Sequence, residues 1–274
     1  MASLRSAGAK RRIRYCEYYQ ILYYTTRLHG IVLDLFIKPS LSHQTFIRLY
    51  LFYQILYHVF KDIYKIHHMN IAIIFSGRIY KFANHYNNIM DNLVQDNNVD
   101  FFLSHSPELD EDLDLFYEIY NPVSICNEPL ELFDYTKYPV PDLEHRPHNI
   151  LSMYYNRRRG FQALNNHIQK TGKIYDAVIS HRLDLFCFDT LDLSLVNNGL
   201  CIPTCHARGI FDQFALGTVD TIQPYMNVYN HIQTLLENRV TFNSEVLLEY
   251  ALKGLHIFRF PFHTRIIRNG YGYF

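Results

Sequence analysis

From Met69 onward, short apolar runs alternate with longer segments whose apolar residues recur at helical spacing. Ile71–Phe75 (IAIIF) is wholly apolar and ends in Ser76-Gly77-Arg78, the pattern of a buried strand that runs into a loop. A helix is predicted over Phe82–Leu93, a strand over Val99–Ser104, and an acidic helix over Leu109–Tyr120 with Leu113, Phe116, Tyr117 and Tyr120 on its inner side. Val123–Cys126 reads as a third strand, and the Pro-rich passage Pro129–Pro147 as a long loop. Ile150–Gln169 then carries a helical stripe through Leu151, Tyr154, Tyr155, Phe161, Leu164 and Ile168, closed by Gly172.

The fourth predicted strand, Tyr175–Ser180 (YDAVIS), delivers His181-Arg182-Leu183-Asp184 just past its carboxyl end, where open α/β sheets place their chemistry. Gly199–Pro203, Phe214–Gly217 and His256–Phe260 read as further strands, and Asp220–Asn238 and Ser244–Leu252 as helices. Strand and helix alternate throughout, so the predicted class is α/β with a mostly parallel sheet flanked by helices. The alternation starts at Met69, which makes 69–274 the main domain and 1–68 an N-terminal extension.

The extension differs in charge as well as in pattern. Net charge is zero over 274 residues, yet residues 1–68 carry ten Lys/Arg against three Asp/Glu, and 69–274 carry sixteen against twenty-three. An acidic body argues against nucleic acid as its partner. The basic extension holds two aromatic stretches, Tyr15–Phe36, broken by charges, and Phe46–Phe60, shorter than the ~20 residues a bilayer core requires. Three readings stand for it: peripheral contact with a membrane surface, packing on the main domain, or an appendage that the fold does not need. Five cysteines, odd in number and widely spaced, describe no disulfide framework, and no Asn-x-Ser/Thr acceptor occurs, so a cytoplasmic protein is expected.

Several chemistries lack their motifs. There is no G-x-x-x-x-G-K-[ST], no G-x-G-x-x-G after the first strand, no G-x-S-x-G and no H-E-x-x-H. Cys201-x-x-x-Cys205-His206 offers three metal-ligating side chains without a convincing fourth, and reads more simply as two cysteines beside a strand. Asp184 could hold Mn²⁺ or Mg²⁺, since a hard cation needs one or two carboxylates when a diphosphate supplies further oxygens. Taken alone, Arg182 and Asp184 read more plainly as a surface ion pair.

The runs YDAVISHRLDLF (175–186), FDQFALG (211–217) and FNSEVLLEYALKGLHIFRF (242–260), in that order, resemble a group of glycosyltransferases from bacteria and large DNA viruses. Those proteins are similar in turn to nucleotide-sugar-dependent transferases of the GT-A type. The resemblance covers Met69 to Arg268. It implies a GT-A-like fold, a nucleoside-diphosphate sugar donor, a glycan acceptor and a divalent metal. The D-x-D metal motif of that type here reads Arg182-Leu183-Asp184, with arginine in the first acidic position. Either Asp184 shares the metal with the diphosphate and a later ligand, for which His263 is implied, or Arg182 supplies part of the positive charge itself. The same resemblance makes Glu245 the base that deprotonates the acceptor and Asp212 an acceptor-side acid. Ser76, Gly77, Arg78 and His181 join Arg182 and Asp184 around the nucleotide sugar. Each has a plainer reading: a first-turn glutamate favours the helix dipole, and an aspartate before a strand serves a turn. Arg157, Arg158 and Arg159 are expected on an exposed helix face, with a phosphate contact as the lesser alternative. A catalytically silent nucleotide- or glycan-binding protein with the same fold remains the alternative to an enzyme.

Overall fold

The first strand, β1 (Asn70–Ser76), is buried along nearly its whole length, and its side chains alternate between two cores. Ala72 and Ile74 enter one core, while Ile71, Ile73 and Phe75 enter the other. Such a strand needs a neighbour on each edge and helices on each face. In this computed structural model, residues 68–77, 79, 82–106, 113–138, 147–204 and 209–267 are described, within the unit His68–Phe274. The extension expected over 1–68 therefore lies, except for His68, outside the described residues, as do Arg78, Cys205 and His206.

The strands that follow are β2 (Asn98–Ser104), β3 (Ser124–Cys126), β4 (Ala177–His181), β5 (Leu185–Cys187), β6 (Leu200–Pro203), β7 (Phe214–Gly217), β8 (Ile257–Phe260) and β9 (Thr264–Ile266). Seven of them form one sheet in the order β3-β2-β1-β4-β7-β6-β8. Its pairs are parallel except those of β7, which runs against β4 and β6. The expected α/β sheet is thus present, with one reversed strand. The reversal follows from the link between β6 and β7, which is ten residues long and so too short to hold a crossover helix.

One face carries α1, built from a 3₁₀ turn (Phe82–His85), an α turn (Tyr86–Ile89) and a π segment (Met90–Val94), together with α2 (Leu113–Tyr120). The other carries α3 (Pro147–Thr171), α4 (Val219–Met226), α5 (Tyr229–Glu237) and α6 (Ser244–Ala251). The single helix expected over Asp220–Asn238 is therefore two, broken at Asn227 and Val228. A Thr218 capping box starts α4, with Thr218 Oγ accepting from Thr221 N–H at 3.2 Å.

The strands β5 and β9 make a separate antiparallel ribbon that the sequence pattern missed. Its other edge is held by α1: Asn88 Nδ2 donates to Cys187 O at 2.7 Å, and Cys187 N–H donates to Asn88 Oδ1 at 2.9 Å. Among the described residues no helix is long and apolar enough to cross a membrane.

Helix α3 lies hard against β1. A Cβ placed on Gly160 would stand 2.6 Å from Ile74 Cγ2 and 3.5 Å from Ser104 Cβ. Gly160→Ala should consequently destabilise the fold although alanine is the better helix former, because crowding a packed core costs about 1–3 kcal/mol against a propensity gain of about 1 kcal/mol. Urea denaturation should show a lower midpoint, and an unchanged or raised midpoint would mean that α3 can lift from the sheet at no cost.

Candidate functional site

Between β1 and β4 the strand order reverses: β2 and β3 lie beyond β1, and β7, β6 and β8 beyond β4. Such a switch point opens a crevice at the carboxyl ends of the strands, where α/β sheets bind ligands. Phe75 is paired with His181, so Ser76-Gly77 and Arg182 leave the sheet side by side. Gly77 adopts φ +106°, which side-chain-bearing residues rarely reach, and its N–H donates to Ser104 O at 3.0 Å. The chain thereby turns at once, and open space remains where a Cβ would sit.

Arg182 and Asp184 close a two-pronged pair, Nε to Oδ1 and Nη2 to Oδ2, each at 2.9 Å. Burial acts against the Arg182 charge, but the hydrogen bonds and charge of Asp184, helped by Asp212, outweigh it and raise the guanidinium's pKa further. The reversed strand brings in Asp212: Phe214 pairs with His181, and Asp212 precedes it by two residues. Asp212 is 6% exposed, and its carboxylate makes no hydrogen bond or ion pair among the described residues.

Glu245 is tied to the same edge through backbone contacts. Asn243 caps α6 by accepting from the N–H groups of Glu245 (3.0 Å) and Val246 (3.2 Å). Gly209, three residues before Asp212, packs so closely on Glu245 that a Cβ there would stand 2.8 Å from its carbonyl. Tyr154 on α3 donates its hydroxyl to Ser244 O at 2.6 Å.

Two of the three consecutive arginines are inside, not on an exposed face. Arg159 caps the ends of β2 and β3, donating to Ser104 Oγ, Glu128 O, His105 O, Cys126 O and Asn156 Oδ1. Arg157, 1% exposed, donates Nη2 to Asp212 O and lies 4.3 Å from the Tyr225 ring centroid and 5.0 Å from that of Tyr154. Its position on the stripe between Tyr154 and Phe161 was the available signal, since a helix stripe continues through an arginine as it would through a leucine. Tyr225 was missed outright. Burial and the Asp212 charge, opposed by Arg157 and Arg182, push its hydroxyl up to about 12.

Two expected site residues are placed elsewhere. His181 shares the face of Ile179, as strand alternation requires, and is buried against Phe75 and Phe214 with Nε2 3.6 Å from Cys187 Sγ. Its side chain points to the face opposite that of Val178 and Ser180. His263 sits at the far end of the ribbon: Ile267 N–H reaches Asp184 O, while His263 O accepts from Phe188 N–H, four residues and about 13 Å further along. Asp189 holds His263 there through Oδ2, 2.7 Å from both its N–H and Nδ1. No group of three His, Cys, Asp or Glu among the described residues is placed to hold a metal, and both Asp184 oxygens are engaged by Arg182. This donor set does not fit the divalent cation expected at Asp184 and His263. The edge does join Ser76, Gly77, Arg182, Asp184 and Asp212, with Glu245 behind the Gly209–Asp212 segment.

No protein-family model matches the chain, and no curated protein does.

Burial, with His85 nearby, lowers the His181 pKa from 6.5 to about 3, and burial lowers that of His85 as well. Folded His181 stays neutral well below 6.5, whereas in the unfolded chain it protonates below about that pH, so the unfolded state binds more protons there. Stability should be full above that pH and fall as pH drops towards 3, by up to about 1.4 kcal/mol per pH unit for His181, with His85 acting in the same direction. His181→Gln should remove one histidine's share of that slope in urea titrations between pH 4.5 and 6.5. An unaltered slope would contradict a neutral, buried His181.

Proposed function

We propose that the chain is a nucleotide-sugar glycosyltransferase of the GT-A type, moving a sugar from a nucleoside-diphosphate donor to a hydroxyl of a glycan acceptor. The observation that carries this reading is the reversal of strand order between β1 and β4, with a glycine turn on the β1 side and Arg182, Asp184 and Asp212 on the β4 side. The mostly parallel, helix-flanked sheet agrees with it. In this reading the donor lies across the ends of β1 and β4, its nucleotide towards Ser76-Gly77 and its diphosphate towards Arg182.

The bond between the anomeric carbon and the diphosphate oxygen breaks as the acceptor oxygen bonds to that carbon. Negative charge gathers on the departing diphosphate, and Arg182, held charged by two carboxylates, is oriented in advance to receive it. Because Arg182 occupies both Asp184 oxygens, the positive charge is assigned to arginine and no step is routed through Mn²⁺ or Mg²⁺. The acceptor proton passes to a carboxylate. Asp212 lies among the arginines on the diphosphate side, which leaves Glu245 for the base.

A second reading, a catalytically silent nucleotide- or glycan-binding protein, is favoured by the same Arg182–Asp184 pair, which gives Asp184 a structural task. Donor hydrolysis separates the two: an enzyme releases sugar to water slowly from its nucleotide sugar, and a binder releases none. Glu245→Gln should keep donor affinity while lowering transfer by roughly two to four powers of ten. If Glu245 only favours the helix dipole, the rate should stay put and stability shift by a few tenths of a kcal/mol. Loss of donor binding would instead move the base elsewhere.

A further inference from the structure

Arg157 is a buried cation without a described counterion. Its residue is 1% exposed, it has no carboxylate within ion-pairing distance among the described residues, and Nε and Nη1 have no hydrogen-bond partner there. Nη2 donates to the carbonyl of Asp212, and the Tyr154 hydroxyl also interacts with the guanidinium. Stacking on Tyr154 and Tyr225 offsets part of the cost, but a cation–π contact leaves the in-plane N–H groups unsatisfied. Leaving buried charge and donors unmatched costs several kcal/mol, so a group of this kind has a reason for its place.

The surroundings point to that reason. Asp212, whose carbonyl caps Arg157, also acts by its charge on Arg182, and Tyr225, on which Arg157 stacks, lies within the fields of both arginines. The cluster therefore holds two guanidinium groups and two carboxylates. Asp184 is committed to Arg182, and Asp212 is committed to neither arginine. An incoming anion that displaces the Asp212 segment meets a guanidinium whose Nε and Nη1 have no partner among the described residues, at the edge where β4 ends.

We infer that Arg157 is the inner half of a phosphate-binding site whose outer half is Arg182, and that it takes a diphosphate oxygen without a divalent cation. The inference rests on the proposed reading only in naming the diphosphate as that of a nucleotide sugar. The anion enters over Arg182, which is partly exposed, and reaches Arg157 as Asp212 moves aside.

The test titrates inorganic pyrophosphate calorimetrically into the full chain in EDTA, with uridine diphosphate and inorganic phosphate as parallel ligands. Pyrophosphate should bind, and Arg157→Met should weaken it at least tenfold without lowering the melting temperature, since an apolar side chain replaces an unpaired charge. Arg158→Met removes the same charge one residue away and should change affinity by less than twofold. Arg157→Lys keeps the charge but loses the planar donors, and should also bind at least tenfold more weakly while folded. Absence of pyrophosphate binding without metal would overturn the inference. So would wild-type affinity in Arg157→Lys, or equal losses in the Arg157 and Arg158 variants. Arg157-dependent binding of pyrophosphate that no nucleotide sugar displaces would uphold the phosphate site and sink the glycosyltransferase reading.

Discussion

Helix α3 approaches β1 so closely at Gly160 that no side chain fits between them, and the carboxyl edge of the sheet depends on that contact. With the helix axis drawn down, the residues one and three positions earlier are carried inward rather than out to solvent. Arg159 then gathers the loose carbonyls beyond β2 and β3, and Arg157 reaches the segment that enters β7. One helix thereby ties the two halves of the edge together, across the point where the strand order turns. A long polar side chain is tolerated here because its donors meet carbonyls that a sheet leaves unpaired at its ends.

Charge at the edge is arranged by exchange of one residue type for another. In the motif that the resemblance suggests, two acids would face a metal; here arginine stands first and binds the acid that remains. A guanidinium is planar, permanently charged and matched to two oxygens, so it can hold a carboxylate at rest and turn to a phosphate when one arrives. With two guanidinium groups set against two carboxylates, the charges at this edge nearly balance.

The parts of the fold that were legible are those in which burial repeats. β1, β2, β4, β6 and β7 stand in the sequence as apolar runs, and α3 as a long stripe, because each faces a core along most of its length. The ribbon of β5 and β9 was not legible, since three residues per strand give alternation no room to show. Nor was the break at Asn227 and Val228, which leaves the apolar spacing of the helical segment uninterrupted. At the site, proximity to strand ends marked Ser76, Gly77, Arg182 and Asp184 correctly as neighbours. His181 failed because the parity of a strand, not nearness to its end, decides which way a side chain points. His263 failed because its distance from Asp184 depends on a ribbon register that no local pattern encodes, and Tyr225 looks like any core tyrosine until Arg157 is placed above it.

The hold of Asn88 on Cys187 does more than fix a register. A primary amide offers a donor and an acceptor side by side, the same two groups that a neighbouring strand would present, and Asn88 gives both to the backbone of a single residue. At Cys187 the ribbon is therefore hydrogen-bonded on both flanks, with β9 on one and a side chain on the other. A short strand closed in this way presents no open backbone there for another chain to join, so α1 protects the ribbon from edge-to-edge association with Asn88, joined by Asn92 at the Cys187 carbonyl, in place of a third strand.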